Sequence, residues 1–305
     1  MNFDRQQLET FAVVVEMRHF GRAAQALNVS RGAVSQRILA LEGALGTPLI
    51  VRDGVHPTPA GEVLLKHIHA LKVLEADTLQ RIKPEARGWT RITIAVNADS
   101  LATWFEPVAC AIATENFALE LKVDDQDHTL STLTHGQAMG CISTESTAPT
   151  GFVAEYLGAM EYQCVAAQAF SATYFSGGHS LREFLAAPAV LFNQKDALHS
   201  AFLESAFGFQ VDGYPRHYFP SPVALLAAVR SSAGYGLVPC LQAQPLIDSG
   251  ELVVLKPDRK ISVDLYWHHW EVSPPNAAAV SEEIVRQARQ ALVQSAAGLS
   301  VAGRG

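Results

Sequence analysis

Apolar residues near the start of the chain recur at the spacing of an α-helix. The first apolar stripe, over residues 6–17, falls at i, i+3, i+4 and i+7 and comprises Leu8, Phe11, Ala12 and Val15. Residues 22–27 predict a short alanine-rich helix. A tight turn over residues 28–30 follows, in which Ser30 can cap a helix that begins at Arg31. The pattern therefore predicts three successive helices, with a tight turn between the second and the third.

The third predicted helix has two faces of different chemistry. Its inward face is apolar and comprises Val34, Ile38, Leu41 and Leu45. Gly32, Ser35 and Gln36 point the other way. Arg31 and Arg37 can reach phosphate or guanine, and Gln36 can pair with adenine. This layout is typical of a helix-turn-helix DNA reader, although the spacing alone also permits a small helical bundle with a polar surface.

A longer helix is predicted from Pro59, which suits a first helical position, to about Ile82. Its apolar seam comprises Leu64, Ile68, Leu71 and Leu74. A lone helix must bury such a seam, and a two-fold partner is the simplest way to do so, which predicts a homodimer. The alternative is a helix that packs on the body of its own chain. Residues 84–88 then form a breaker-rich hinge.

After residue 90, short apolar runs alternate with helical stretches, which predicts α/β sheets. The predicted strands are 91–96, 119–123, 138–143, 162–166, 189–192 and 235–238. The predicted helices are 101–114, 128–135, 180–186, 197–206, 222–232 and 278–294. The body contains no glycine-rich phosphate loop, no GxSxG elbow and no HExxH motif, so we expect neither nucleotide binding nor catalysis by these means.

Composition and charge narrow the class of protein. Residues 1–88 carry 11 Lys or Arg and 9 Asp or Glu, whereas the remaining residues carry 12 and 21, within a net charge of -7. A mildly basic front and an acidic body fit a local contact with nucleic acid. We expect a cytoplasmic protein with no membrane contact, because the sequence has no signal-peptide pattern and no membrane-length apolar run. Its four scattered cysteines predict buried thiols and no metal site.

Polar residues follow the first two predicted strands of the body, where α/β units bind ligands. We expect Asp99 or Ser100 to cap the next helix, whose free N–H groups would suit a carboxylate. Asp124 and Asp125 end the second strand and could hold a cationic group, whereas Asp127 is more simply a helix cap. These charges complement a zwitterion with an extra positive charge, such as a basic amino acid.

The segment "FGRAAQALNVSRGAVSQRILALEGALGTPLIVRDGVHPTPAG" resembles the winged helix-turn-helix of LysR-type transcriptional regulators. The matching residues are Ala23, Ala24, Leu27, Ser30, Ala33, Val34, Ser35, Ile38, Leu41, Glu42, Gly46, Leu49, Arg52, Thr58, Ala60 and Gly61. Arg31 and Gly32 depart from the Gln and Ser common in this family. The resemblance places Arg52 in a β wing near the DNA backbone. The DNA-binding residues expected are Ser30, Arg31, Gly32, Ser35, Gln36, Arg37 and Arg52.

The resemblance implies an α+β multidomain chain. Residues 1–58 would form the winged helix-turn-helix and 59–88 the linker (dimerisation) helix and hinge. Residues 91–300 would form a two-lobed α/β effector domain like periplasmic binding proteins, with lobe one at 91–161 and 267–300 and lobe two at 162–266. The implied protein is a dimer or dimer of dimers that works with RNA polymerase and needs no cofactor.

Segments such as "RITIAVNADSLATWF" and "DLYWHHW" are similar to the ArgP/LysG group of this family, which comprises lysine- and arginine-responsive activators of basic amino acid export. This similarity implies an effector cleft lined by Asn97, Asp99, Ser100, Asp124, Asp125, Ser143, Thr144, Asn193, Asp196 and Ser221. The effector would be lysine or arginine, with histidine a further possibility. The alternatives are a regulator in the same family with another small effector, and an enzyme built on the same body.

Overall fold

The computed structural model describes residues 4–82, 89–115, 117–124, 129–134, 137–149, 151–210, 213–271, 273 and 275–294. The predicted hinge at 84–88, together with Asp125, Asp127 and His128, lies outside these residues. The N-terminal unit comprises α1 (Arg5–Met17), α2 (Phe20–Ala26), α3 (Arg31–Leu45), β1 (Ile50–Val51), β2 (His56–Pro57) and α4 (Pro59–Ile82). The predicted helices and the wing are therefore present.

The apolar stripes of the N-terminal helices meet in one core. Phe11 of α1 and Val34 and Leu41 of α3 are buried there, together with Leu64 and Ile68 of α4. The first half of the predicted α4 seam therefore packs on its own domain, because α4 leaves the wing beside α1. The seam's free part begins at Leu74.

The remaining residues form one large sheet with helices packed on it. Its first part comprises β3 (Thr90–Asn97), α5 (Ala98–Leu101), α6 (Phe105–Thr114), β4 (Phe117–Asp124), α7 (Thr129–Thr134), β5 (Gly140–Ser143) and β6 (Phe152–Ala167). The chain continues through α8 (Gln168–Tyr174), α9 (Leu181–Ala186), β7 (Ala189–Leu191), α10 (Ala197–Phe207), β8 (Arg216–Tyr218) and α11 (Pro222–Arg230). The last elements are β9 (Tyr235–Pro239), α12 (Cys240–Asp248), β10 (Leu252–Val254), β11 (Lys260–Trp270) and α13 (Pro275–Ala291).

The strand order is β4-β3-β5-β11-β6-β9-β7-β8, with β10 paired to β6. The central strands β6 and β11 run antiparallel to each other along their length. Parallel strands β3, β4 and β5 lie on one side of this pair and form lobe one with α13, whereas β7, β8 and β9 lie on the other side and form lobe two. Two parallel α/β layers thus share one antiparallel centre.

The sequence pattern misses several elements of this body. Strand β6 is far longer than the predicted 162–166, and the predicted helix 101–114 is divided into α5 and α6 by residues 102–104. Helix α8 follows β6 with no intervening breaker, and α12 contains Pro245, so neither has a recognisable start and stop in the sequence. None of the helices in the described ranges is long and apolar enough to cross a membrane.

One histidine lies inside lobe two. His199 is 1% exposed, and its Nδ1 lies 3.0 Å from the Tyr214 hydroxyl. Burial and the nearby positive charge of Arg216 lower the pKa of His199 to about 3, so the imidazole is neutral at physiological pH. The expectation of buried thiols holds for Cys141 and Cys164, whereas Cys110 is exposed.

Candidate DNA-reading helix and effector cleft

Helix α3 is oriented by its buried face. The Ser30 hydroxyl accepts a hydrogen bond from the Ala33 amide (3.1 Å), as the sequence predicts for the cap of this helix. With the apolar face of α3 buried, Arg31, Gly32 and Gln36 are exposed at its N-terminal end, and Ser35 is partly exposed. An exposed, polar helix start is the part that a helix-turn-helix presents to base edges.

Arg37 lies on the same helix but faces α1. Its guanidinium donates hydrogen bonds to the Thr10 hydroxyl (3.2 Å) and to Gln6 Oε1 (3.3 Å). A guanidinium held in this way is turned to the crossing of α1 and α3. Its predicted contact with DNA stays a prediction, and its observed contacts are those of a residue that positions the reading helix.

The wing consists of β1, β2 and the turn between them, and one carboxylate of α3 binds it. Glu42 Oε1 accepts hydrogen bonds from the backbone amides of Leu49 (2.8 Å) and Ile50 (3.3 Å). Gly61 of α4 passes so close to the wing that an added Cβ would overlap the Leu49 carbonyl oxygen. Arg52 is exposed in the turn between β1 and β2, where a side chain can reach a DNA backbone.

In lobe one, the carboxyl ends of three parallel strands share an edge. Asn97 of β3 pairs with Asp124 of β4, and β5 lies in register on the other side of β3 and ends at Ser143. Asn97 and Ser143 are buried. The Ser143 hydroxyl accepts a hydrogen bond from the Glu145 amide (3.2 Å), and Thr144 is partly exposed beside it. The predicted polar strand ends are therefore neighbours in space.

The helix after β3 differs from the predicted one. Asn97, and not Asp99 or Ser100, is its cap, because Asn97 Oδ1 accepts a hydrogen bond from the Ser100 amide (2.7 Å). The helix α5 has only 4 residues, so its dipole gives little support to carboxylate binding. The Ser100 side chain is fully buried, and its hydroxyl has no hydrogen-bond partner in the described part of the chain.

Asp99 faces the centre of the domain. Its Oδ2 accepts a hydrogen bond from the Tyr162 hydroxyl of β6 (2.7 Å). Burial raises the pKa of this carboxyl, the Tyr162 hydrogen bond opposes that rise, and repulsion from the Asp196 carboxylate of lobe two adds to it. The charges of one carboxylate from each lobe therefore act on each other.

The lobe-two candidates lie at the ends of its strands. Asp196 caps α10 by accepting hydrogen bonds from the amides of Leu198 (3.1 Å) and His199 (3.3 Å). Asn193 Oδ1 accepts a hydrogen bond from the Lys195 amide (2.7 Å). The Ser221 hydroxyl caps α11 at Ala224 (3.4 Å). Each side chain shapes its own loop, and Asp196 also acts on Asp99.

Gln242 is absent from the predicted site and yet bridges the two lobes. It lies in the first turn of α12, and its Nε2 donates a hydrogen bond to the Ala102 carbonyl oxygen of lobe one (3.0 Å). The Gln242 Oε1 atom is buried without a partner among the described residues. The sequence offers no signal for this residue, because α12 itself is not predicted.

Comparison with known proteins finds matches to both the N-terminal unit and the large sheet domain. Residues 5–62 match the model of the "Bacterial regulatory helix-turn-helix protein, lysR family", and residues 90–289 match the "LysR substrate binding domain". The chain belongs to the LysR family. The ArgP of Photobacterium profundum is 36% identical over 294 residues, covering 95% of this chain and 99% of the relative. The ArgP of Pseudomonas aeruginosa is 38% identical over 297 residues, covering 96% and 98%.

Two solved structures of LysR-family proteins extend the similarity to three dimensions. ArgP from Mycobacterium tuberculosis has a TM-score of 0.86 and 33% identity, covering 96% of this chain and 100% of that one. Full-length LysG from Corynebacterium glutamicum with bound effector Arg has a TM-score of 0.81 and 30% identity, covering 95% and 100%. The predicted family, fold class and function as a transcriptional regulator of the ArgP/LysG type are confirmed, and the enzyme alternative is set aside.

Proposed function

We propose that this LysR-family regulator senses a basic amino acid, arginine or lysine, in the cleft between its lobes and changes its occupancy of DNA in response. The strongest support is the pair of carboxylates, Asp99 in lobe one and Asp196 in lobe two, whose negative charges repel each other. Two acidic groups that repel one another form a site whose best complement is a cation. The arginine bound in the LysG structure is an effector of this chemistry.

The candidate residues have different parts in this proposal. Asp99 is the main partner for the cationic group, and Asp196 supplies charge from the facing lobe. Ser100 offers a buried hydroxyl that has no partner among the described residues. The remaining candidates are Asn97, Asp124, Ser143, Thr144, Asn193 and Ser221, together with Asp125, which lies outside the described residues.

A ligand that binds the folded state alone raises its melting temperature, so a panel of amino acids tests the effector class. We expect arginine or lysine to raise the melting temperature, with histidine weaker, and citrulline, which has arginine's length without its charge, to leave it unchanged. Equal shifts with arginine and citrulline, or a shift only with an aromatic acid, would refute the cation site.

We also propose that two copies of the chain pair through α4, so that two DNA-binding units act together. Helix α4 exposes apolar side chains beyond its packed half, and Leu74, Leu79 and Ile82 are 48%, 62% and 67% exposed. A second copy of the same helix would cover them and place two α3 helices for two DNA half-sites. We propose a homodimer, assembled further into a dimer of dimers, that acts with RNA polymerase in the cytoplasm on a gene for basic amino acid export.

Sedimentation and footprinting test this assembly. We expect the protein to sediment as a dimer or tetramer, and Leu79→Glu to shift it toward monomer without lowering its content of helix. Footprinting of the regulator's own upstream region, with and without arginine, should give a protected region that changes with the amino acid. A monomeric wild type, or no protection at low salt, would contradict the proposal.

A further inference from the structure

Gln242 and Tyr162 approach lobe one from the same corner of the molecule. Strand β9 pairs with β6 so that Pro239, the residue before α12, lies opposite Tyr162. From this corner the Tyr162 hydroxyl donates to Asp99 (2.7 Å) and Gln242 Nε2 donates to the Ala102 carbonyl oxygen (3.0 Å). Asp99 lies within α5 and Ala102 ends it, so two hydrogen bonds hold this short helix.

The Gln242 amide uses only one of its two polar ends. Because Ala102 offers a carbonyl oxygen, the NH2 group of Gln242 must face it, and this fixes Oε1 on the other side. Oε1 is buried without a partner in the described residues, and so is the hydroxyl of Ser100, which lies between Asp99 and Ala102. A buried acceptor without a donor is unfavourable, so the site gains when a donor arrives.

We propose that Gln242 is a specificity-determining residue of the effector cleft, joining the lobes through its NH2 group and accepting a hydrogen bond through Oε1 from an N–H group of a basic amino acid. Ammonium and guanidinium groups supply such donors, and the carboxylates of Asp99 and Asp196 favour their charge. This role rests on the proposed function of the cleft as a sensor of basic amino acids.

The two contacts of Gln242 link ligand binding to lobe contact. The hydrogen bond to Ala102 forms only when the lobes touch, and the same amide then presents Oε1 to the ligand. A ligand that binds this arrangement better than an open one shifts the population toward it. Because an amide does not titrate, the contribution of Gln242 is independent of pH, unlike that of Asp99.

Calorimetric titration of the full-length protein with L-arginine and L-lysine tests this role. Gln242→Met keeps the length of the side chain and removes both polar ends. Gln244→Met is the matched control, because Gln244 lies on the same helix and its Nε2 donates to the exposed Asp248 (2.8 Å). We expect Gln242→Met to weaken binding at least tenfold, by the same factor at about pH 6 and about pH 8, and Gln244→Met to bind as the wild type does.

The melting temperature without amino acid separates this role from a structural one. We expect Gln242→Met to melt close to the wild-type temperature, because it removes an unpaired buried acceptor together with the hydrogen bond to Ala102. If Gln242→Met does not fold, Gln242→Asn, which keeps the amide but shortens its reach, should show the same loss of affinity. Binding within twofold of wild type, or an equal loss in Gln244→Met, would overturn the role of Gln242. A wild type that binds neither arginine nor lysine would instead overturn the proposed function itself.

Discussion

Replacing Asp99 by Asn tests the cation site at its centre. Asn keeps the shape of the side chain, and its Oδ1 can still accept the hydrogen bond from Tyr162, so only the charge is lost. Unit charges about 3 Å apart interact by roughly 5 kcal/mol at an effective dielectric constant of about 20. Because desolvation of both charged groups opposes this attraction, we expect removal of one charge to reduce the binding free energy by about 2–3 kcal/mol. We therefore expect Asp99→Asn to weaken arginine binding about 30- to 150-fold.

The pH dependence of binding has a definite sign. Burial and Asp196 hold the pKa of Asp99 above its ordinary value, so the folded protein keeps this proton at a pH where the unfolded chain has lost it. The contribution of Asp99 to stability therefore falls as pH rises from the ordinary value of 3.8 through the raised pKa. A bound cation favours the ionised carboxylate, so arginine affinity should rise with pH over the same window.

Isothermal titration calorimetry at about pH 5 and about pH 8, in buffers of different ionisation enthalpy, counts the protons released on binding. We expect proton release in the wild type and none from this group in Asp99→Asn. Asp264→Asn is the matched control, because Asp264 also accepts a hydrogen bond from a tyrosine, Tyr156 (3.2 Å), but on an exposed part of the sheet. Unchanged affinity in Asp99→Asn, or the same loss in Asp264→Asn, would refute the assignment of the cation site.

Three further predictions concern other parts of the chain. Arg31→Ala should weaken DNA binding and reduce the magnitude of its salt slope by about one unit in a filter-binding titration, whereas Arg37→Ala should chiefly lower the unfolding midpoint in urea. Glu42→Ala leaves two wing amides without their acceptor and should cost about 1–3 kcal/mol of unfolding free energy, while Glu42→Gln recovers part of it. His199 is buried with a pKa of about 3, so the unfolded chain binds a proton at this site below about pH 6.5 while the folded protein does not. The free energy of unfolding should therefore fall by up to about 2 kcal/mol between neutral pH and about pH 5, as measured by denaturant melts. His199→Gln should not show this part of the pH dependence.

The N-terminal unit could be predicted from the sequence because its signals are local. Apolar residues at helical spacing give α1 and α3, and Ser30 caps α3 as expected because a cap bonds within one turn of its own helix. The orientation of Arg37 could not be predicted in the same way. Its partners, Gln6 and Thr10, lie 31 and 27 residues away, and only the packing of α1 against α3 brings them within reach.

The same distinction between local and long-range contacts applies to the effector cleft. Polar residues at strand ends are visible in the sequence, and parallel pairing brings Asn97 beside Asp124 as expected. The sequence does not show which strand ends face each other across the cleft. That arrangement depends on the antiparallel pairing of β6 with β11, which joins residues far apart in the chain. The hydrogen bond from Tyr162 to Asp99 spans 63 residues, and the one from Gln242 to Ala102 spans 140.

The contacts that join the lobes are therefore the ones that local patterns miss, and they are also the ones that a bound ligand can alter. A side chain that caps its own helix, such as Ser221, keeps its partner whether the lobes are together or apart. We expect Tyr162 and Gln242 to lose theirs on separation of the lobes, because their partners, Asp99 and Ala102, lie in lobe one. We expect effector response to depend most on such residues, which combine an ordinary side chain with a partner on the other lobe.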